Sequence, residues 1–176
     1  MCKKIDENYI GDVLSDFKGK KESIQKDIRE MYGMLRNKEQ LKIDAIESAS
    51  YLSGLDEETG KKSGDVGTTL WVYQKLLKEQ QTSISSYITQ LVNELDTVHR
   101  IMLCFFALDR NSRELLELYY GKYKEEKVEV RLHMIAPRLG ISGSTVKRRR
   151  KEAMQELMEL YNSRATSEEL LRFYGK

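Results

Sequence analysis

The sequence predicts an all-α fold: an N-terminal hairpin of long, coiled-coil-like helices followed by a compact C-terminal helical domain. Three observations point there. The 176 residues hold a single proline and are 33% charged, and their common straight-chain side chains lose little rotamer freedom in a helix. Apolar residues recur at three-to-four or seven-residue intervals over most of the length. Glycines at 54, 60, 64 and 67 fall between two such patterns rather than inside them. With 40% hydrophobic residues the chain can bury a modest core.

From Lys20 to Leu52, Ile24, Ile28, Met31 and Leu35 step by helical intervals and the pattern loosens through Leu41, Ile43 and Ile46, which predicts one amphipathic helix. Ser53 to Gly67 has little to bury and reads as a loop, so residues 1–67 form an N-terminal helical segment with its glycine-containing loop. Thr68 or Thr69 can cap the next helix, which fills 68–108 and is about 58 Å long if it runs from Thr69 to Ala107. Leu70, Leu77, Ile84, Leu91, Val98 and Phe105 recur every seven residues, and Tyr73, Gln80, Tyr87, Glu94, Ile101 and Leu108 follow three later. Together they make a coiled-coil seam. That seam serves either packing against the Lys20 to Leu52 helix within one subunit or pairing with a second copy, and Gln80 and Glu94 are polar interruptions of the kind that fix register. Trp71, with Tyr73, is expected to anchor the core.

Residues 109–163 form the next unit. Asp109 or Ser112 can cap a helix whose apolar face is Leu115, Leu116, Leu118, Tyr119 and Tyr120, and Gly121 to Val130 reads as a solvated connection. Ile135, Ala136 and Leu139 share one face of a short helix that stops at Gly140, which tolerates a left-handed turn. Pro137 in that helix predicts either a start near Ile135 or a kink. Ile141 packs inward, Ser142 caps a second helix, and Val146, Ala153, Leu157 and Leu160 give that helix its buried face. Gly143, Ser144, Lys147, Arg148 and Lys151 then point away, while Arg149 and Arg150 straddle the boundary with guanidinium groups reaching outward. Residues 164–176 read as a short C-terminal helix or tail.

Charge placement matters more than the total. The stretch 137–151 holds six cations and no acid, so within a chain total of +2 the remainder carries a net −4. A concentrated basic face on a weakly acidic body points to a local polyanion site. A small residue at Ala136, a glycine four residues on and a β-branched Val146 is the arrangement of a helix-turn-helix, whose second helix fits the major groove of double-stranded DNA.

Other chemistry finds little support. Cys2 and Cys104 form no C-x-x-C pair, and His99 and His133 lie 34 residues apart without acids or thiols around them, so no metal and no cofactor are expected. No nucleophile set or phosphate-cradling loop is present, and the acidic pairs Glu57/Glu58 and Glu125/Glu126 fall in loops; the chain is not expected to be an enzyme. No apolar run reaches the ~18 residues of a membrane span, and MCKKIDENYIGD is too acidic and broken for a signal peptide. A cytoplasmic protein in a reducing compartment is expected.

Leu108 to Leu160, LDRNSRELLELYYGKYKEEKVEVRLHMIAPRLGISGSTVKRRRKEAMQELMEL, resembles region 4 of bacterial sigma factors and the related sigma-like helix-turn-helix family. A leucine-led helix ending in a tyrosine pair, an Ile-Ala-x-x-Leu-Gly-Ile-Ser scanning helix and turn, and a Thr-Val-x-x-Arg recognition helix follow in order. The whole chain, with its non-sigma N-terminal helices, resembles the ArpU/RinA-type regulators of phages and prophages of Gram-positive bacteria, which control late genes for packaging and lysis. The resemblance implies double-stranded DNA as partner, RNA polymerase as a further one, and the cytoplasm of a bacterial host. It makes Ser144, Lys147 and Arg148 base-reading and Thr145, Arg149 and Lys151 phosphate-contacting, with Arg138, Ser142 and Arg150 completing the phosphate set around a core of Ile135, Ala136, Leu139, Gly140, Ile141, Val146 and Ala153. A homodimer held by the seam would place two such helices at a fixed spacing. A sigma subunit of RNA polymerase, a phage small terminase subunit and a structural coiled-coil adaptor remain alternatives.

Overall fold

The computed structural model describes residues 5–54, 66–163 and 165–173. Among these all regular structure is helical: α1 Glu7–Ser15, α2 Phe17–Arg36, α3 Lys38–Gly54, α4 Val66–Ala107, α5 Arg110–Leu116 continuing into a π-helical turn Glu117–Lys122, α6 Val128–Leu139, α7 Gly143–Asn162 and α8 Ser167–Phe173. They form two compact units, the described residues of Met1–Glu22 with Leu95–Lys176, and Ser23–Glu94.

In the Ser23–Glu94 unit, the single helix expected from Lys20 to Leu52 is two. Asn37 divides them, its Oδ1 accepting the Gln40 N–H at 3.2 Å, because a short amide side chain offers the backbone an alternative to continuing the helix. Helix α3 has Leu41 and Ala45 buried on one side and Ile43 and Ile46 about half exposed on another. Residues 55–65 of the expected glycine loop lie outside the described residues, but its two ends are helical.

Helix α4 starts at Val66, ahead of the expected Thr68 or Thr69 cap, and spans about 63 Å. Along its ladder Leu91, Val98 and Phe105 are buried, Leu77 and Ile84 are half-buried, and Leu70 is 53% exposed. Trp71 is 61% exposed and does not anchor the core. One residue is a 100° step, which carries Trp71 off the Leu70/Leu77 line, and its ring is covered instead by Lys75, whose Nζ lies 5.4 Å from the ring centre.

The other unit holds most of the buried residues. Helix α1, which no periodicity announced, is capped by Asp6, whose Oδ1 accepts the Tyr9 N–H at 2.7 Å, and it buries Ile10 and Val13 completely. It packs on the π-helical turn, while α5 and α6 both pack on α7. Asp109 caps α5 by accepting from Asn111 and Ser112 at 2.8 and 3.2 Å. The connection expected over Gly121 to Val130 shortens to Tyr123–Lys127, since α6 begins at Val128. Helix α6 therefore does not start near Ile135; Pro137 sits in its last turn, where a missing N–H costs only one internal bond. A reciprocal capping box starts α8, with the Thr166 N–H bound by Glu169 at 2.7 Å and the Glu169 N–H by Thr166 Oγ1 at 3.3 Å.

Candidate nucleic-acid interface

The turn between α6 and α7 is built by three residues. Gly140 adopts φ 63°, ψ 32°, the left-handed conformation that ends a helix, and the Ile141 N–H closes the turn on the Ala136 carbonyl at 3.0 Å. Ser142 then caps α7: its Oγ accepts the Thr145 N–H at 3.2 Å and lies within 2.9 Å of the Ser144 and Thr145 hydroxyls. Under the turn, Leu115, Leu118, Tyr119, Ile135 and Val146 form a buried cluster against which Ala136, Leu139 and Ile141 pack. Ala153 and Leu157 continue the inner face of α7, joined by Met154 and Tyr161 where Leu160 is only half-buried.

Ser144, Lys147, Arg148, Arg149 and Lys151 are exposed on α7, as are Arg138 at the end of α6 and Ser142 at the cap; Thr145 is half-buried. Gly143 is also half-buried, and a Cβ there would meet Leu132 at 3.9 Å, so it belongs to the contact between α6 and α7 rather than pointing away. Arg148 pairs with Glu152 one turn later at 3.2 Å, both side chains more than half exposed, a contact that a stronger anion can displace.

Arg150 departs from its expected place. Its guanidinium binds Glu7 Oε1 at 2.6 Å and the Tyr120 hydroxyl at 2.5 Å, and lies 5.1 Å from the Tyr119 ring centre. Burial works to lower its pKa, but Tyr120 and Glu7 outweigh that and hold it above its usual value. The Tyr120 phenol is also pushed up, first by burial. Four residues after Val146, Arg150 comes round to the inner edge of the helix, so the phosphate contact expected of it gives way to a contact inside the fold.

Two further guanidiniums have partners that nothing in the sequence signals. Arg100 of α4 donates to the carbonyls of Tyr161, Ser163 and Ala165 at 3.1, 2.7 and 3.1 Å, satisfying the C-terminal end of α7 that helix geometry leaves open. Arg131 of α6 binds the carbonyls of Glu126 at 2.8 Å and of Lys124, and lies 5.2 Å from the Tyr119 ring centre. Their carbonyl partners are main-chain atoms, which leave no mark in the residue types.

Among the described residues no helix is long and apolar enough to cross a membrane. No curated protein and no solved structure matches the chain. Residues 104–159 match the family model described as Sigma-70, region 4, a span that takes in the end of α4, α5, the π-helical turn, α6 and all but the last residues of α7. The chain carries a sigma-70 region 4 domain, the DNA-binding helix-turn-helix of that family, over residues 104–159.

Proposed function

We propose that the protein is a sequence-specific transcriptional regulator that reads the major groove of double-stranded DNA with α7. The observation that supports this best is the row of exposed residues Ser144, Lys147, Arg148, Arg149 and Lys151 on a helix whose start is capped and whose inner face is buried. Ser144, Lys147 and Arg148 discriminate bases, with Arg148 or Lys147 suited to guanine. Arg138, Ser142, Thr145, Arg149 and Lys151 hold phosphates. Cation contacts supply salt-dependent affinity for any duplex, and base contacts add the preference.

Two copies joined through α4 would hold two recognition helices at a fixed spacing and enlarge a footprint that is small for one domain. Control of phage or prophage late genes follows from the likeness of the whole architecture to ArpU/RinA-type regulators, and RNA polymerase is the further partner that a region 4 domain suggests. A bacterial cytoplasm is the compartment in which both would be met.

The division of labour is tested by two substitutions on a duplex selected by the protein from a random pool. Arg148→Ala is expected to relax preference at one base pair and cost about 1–3 kcal/mol on the selected duplex; Lys151→Ala weakens selected and mixed-sequence DNA alike and flattens the salt slope by about one. Equal losses from both variants on both duplexes would refute the assignment.

A further inference from the structure

Helix α1 lies far outside the matched span, yet it reaches into it at two points. Glu7 in its first turn holds Arg150 of α7 at 2.6 Å. One turn on, Gly11 stands so close to the Tyr120 ring that a Cβ would lie 2.8 Å from Cε1. Ile10 and Val13 of the same helix are fully buried, so Glu7 is presented by a docked helix rather than by a loose end.

Arg150 is two and three residues beyond Arg148 and Lys147, which makes its guanidinium a stop on rotation of α7 about its own axis. It is braced by three groups at once: the Glu7 carboxylate, the Tyr120 hydroxyl and the Tyr119 ring. A rotation of about 10° moves a side-chain tip at a radius of ~5–6 Å by ~1 Å, the displacement at which paired hydrogen bonds to a base edge are lost. Both hydrogen bonds leave from one guanidinium nitrogen, Nη1, while the group as a whole lies over the Tyr119 ring, a combination of donation and stacking that the point charge of a lysine does not reproduce.

We propose that α1 is a working part of the DNA-reading unit and that Glu7 is a positioning residue for the recognition helix, acting through Arg150 and Tyr120. The proposal rests on the DNA-binding reading above, and it extends the unit beyond the matched domain to a helix at the other end of the chain. It separates Arg150 from the neighbouring cations: they meet the polyanion, whereas Arg150 sets their direction.

The test uses the full chain with Glu7→Ala, Glu7→Gln and Gly11→Ala, each checked by circular dichroism and thermal melting. Affinity is measured across a salt series for a duplex selected by the wild-type protein and for a mixed-sequence duplex of equal length. Glu7→Ala and Gly11→Ala are expected to lower the ratio of selected to mixed-sequence affinity about tenfold, with mixed-sequence affinity and its salt slope unchanged. Glu7→Gln keeps an accepting oxygen for Arg150 and is expected to lower the ratio about threefold; it decides the matter if the alanine variants do not fold. A folded Glu7→Gln protein whose ratio stays at the wild-type value, even with a lower Tm, overturns the proposal. So does tighter mixed-sequence binding with a salt slope steeper by about one, which would make Glu7 a decoy for phosphate. If the wild-type protein shows no salt-dependent affinity for either duplex, the DNA-binding reading itself fails, an outcome distinct from both.

Discussion

Single residues fix the ends of helices here, and Asp109 is the clearest case. Burial alone would raise its pKa, but hydrogen bonds from Ser112 and Asn111 and the charge of Arg113 outweigh it and hold the carboxyl below its usual value. A depressed folded-state pKa means the carboxylate stabilises the fold at neutral pH, and that this contribution is lost as pH falls below about 4. Asp109→Ala is expected to cost about 1 kcal/mol in urea unfolding at pH 7, with the gap to wild type closing on acidification. Asp109→Asn keeps a capping oxygen and relieves Glu156, whose carboxyl is pushed up by burial, then by Asp109 and Glu159, but it gives up the charge that the fold favours. It is expected to fall between the alanine variant and wild type at pH 7 and to draw level with wild type on acidification. A gap that persists unchanged below pH 3 would contradict this sign. Asp109 and Ser142 were legible as caps because capping chemistry is local. Arg150 was not, since its partner lies 143 residues away and no spacing rule connects them. Cys104 likewise gives no sign in sequence of how inaccessible it is: fully buried, its thiol is pushed up to about 11.

At the level of elements, the turn between α6 and α7 was readable to the residue, whereas the N-terminal helices were not. Gly140, Ile141 and Ser142 each have a conformational or capping reason to stand where they do. In contrast, α1 is short, and its apolar pair Ile10 and Val13 gives too little periodicity to announce a helix. Asn37 breaks α2 from α3 by a side-chain bond that the apolar pattern alone does not reveal. Gly11 and Gly140 separate two physical demands. Gly11 is needed for space against Tyr120; Gly140 has nothing within 4 Å of an added Cβ and is needed only for its positive φ. Gly140→Ala is therefore expected to cost about 1–2 kcal/mol of stability through backbone strain alone, and Gly140→Asn less, because asparagine enters the left-handed region more readily. Thermal melting of the two variants checks the order; an alanine variant as stable as wild type would show that the turn relaxes without the left-handed residue.

For the whole molecule, the proposed pairing of two copies is a question put to α4. Its seam is buried within the chain toward the C-terminal end, at Leu91, Val98 and Phe105, but Leu70 is 53% exposed at the other end. The Gln80 side-chain oxygen is buried with no hydrogen-bond partner among the described residues, and such an acceptor costs about 1–3 kcal/mol unless a group beyond them satisfies it. In α3, Ile43 and Ile46 face away from buried Leu41 and Ala45, and a helix apolar on two sides is one that is covered on two sides. These features together favour a second copy along the Ser23–Glu94 unit, with Gln80 as the polar group that fixes register. Sedimentation of the full chain is expected to give a dimer, and Leu70→Glu to shift it toward monomer while leaving the Tm of the helix-turn-helix unit nearly unchanged, because Leu70 adds little to the core of a single chain. The monomeric variant should keep its salt-dependent affinity for mixed-sequence duplex per copy and lose the added affinity for a two-site duplex. A wild-type protein that sediments as a monomer both alone and on DNA would remove the dimer and leave α3 and the start of α4 to face a different partner.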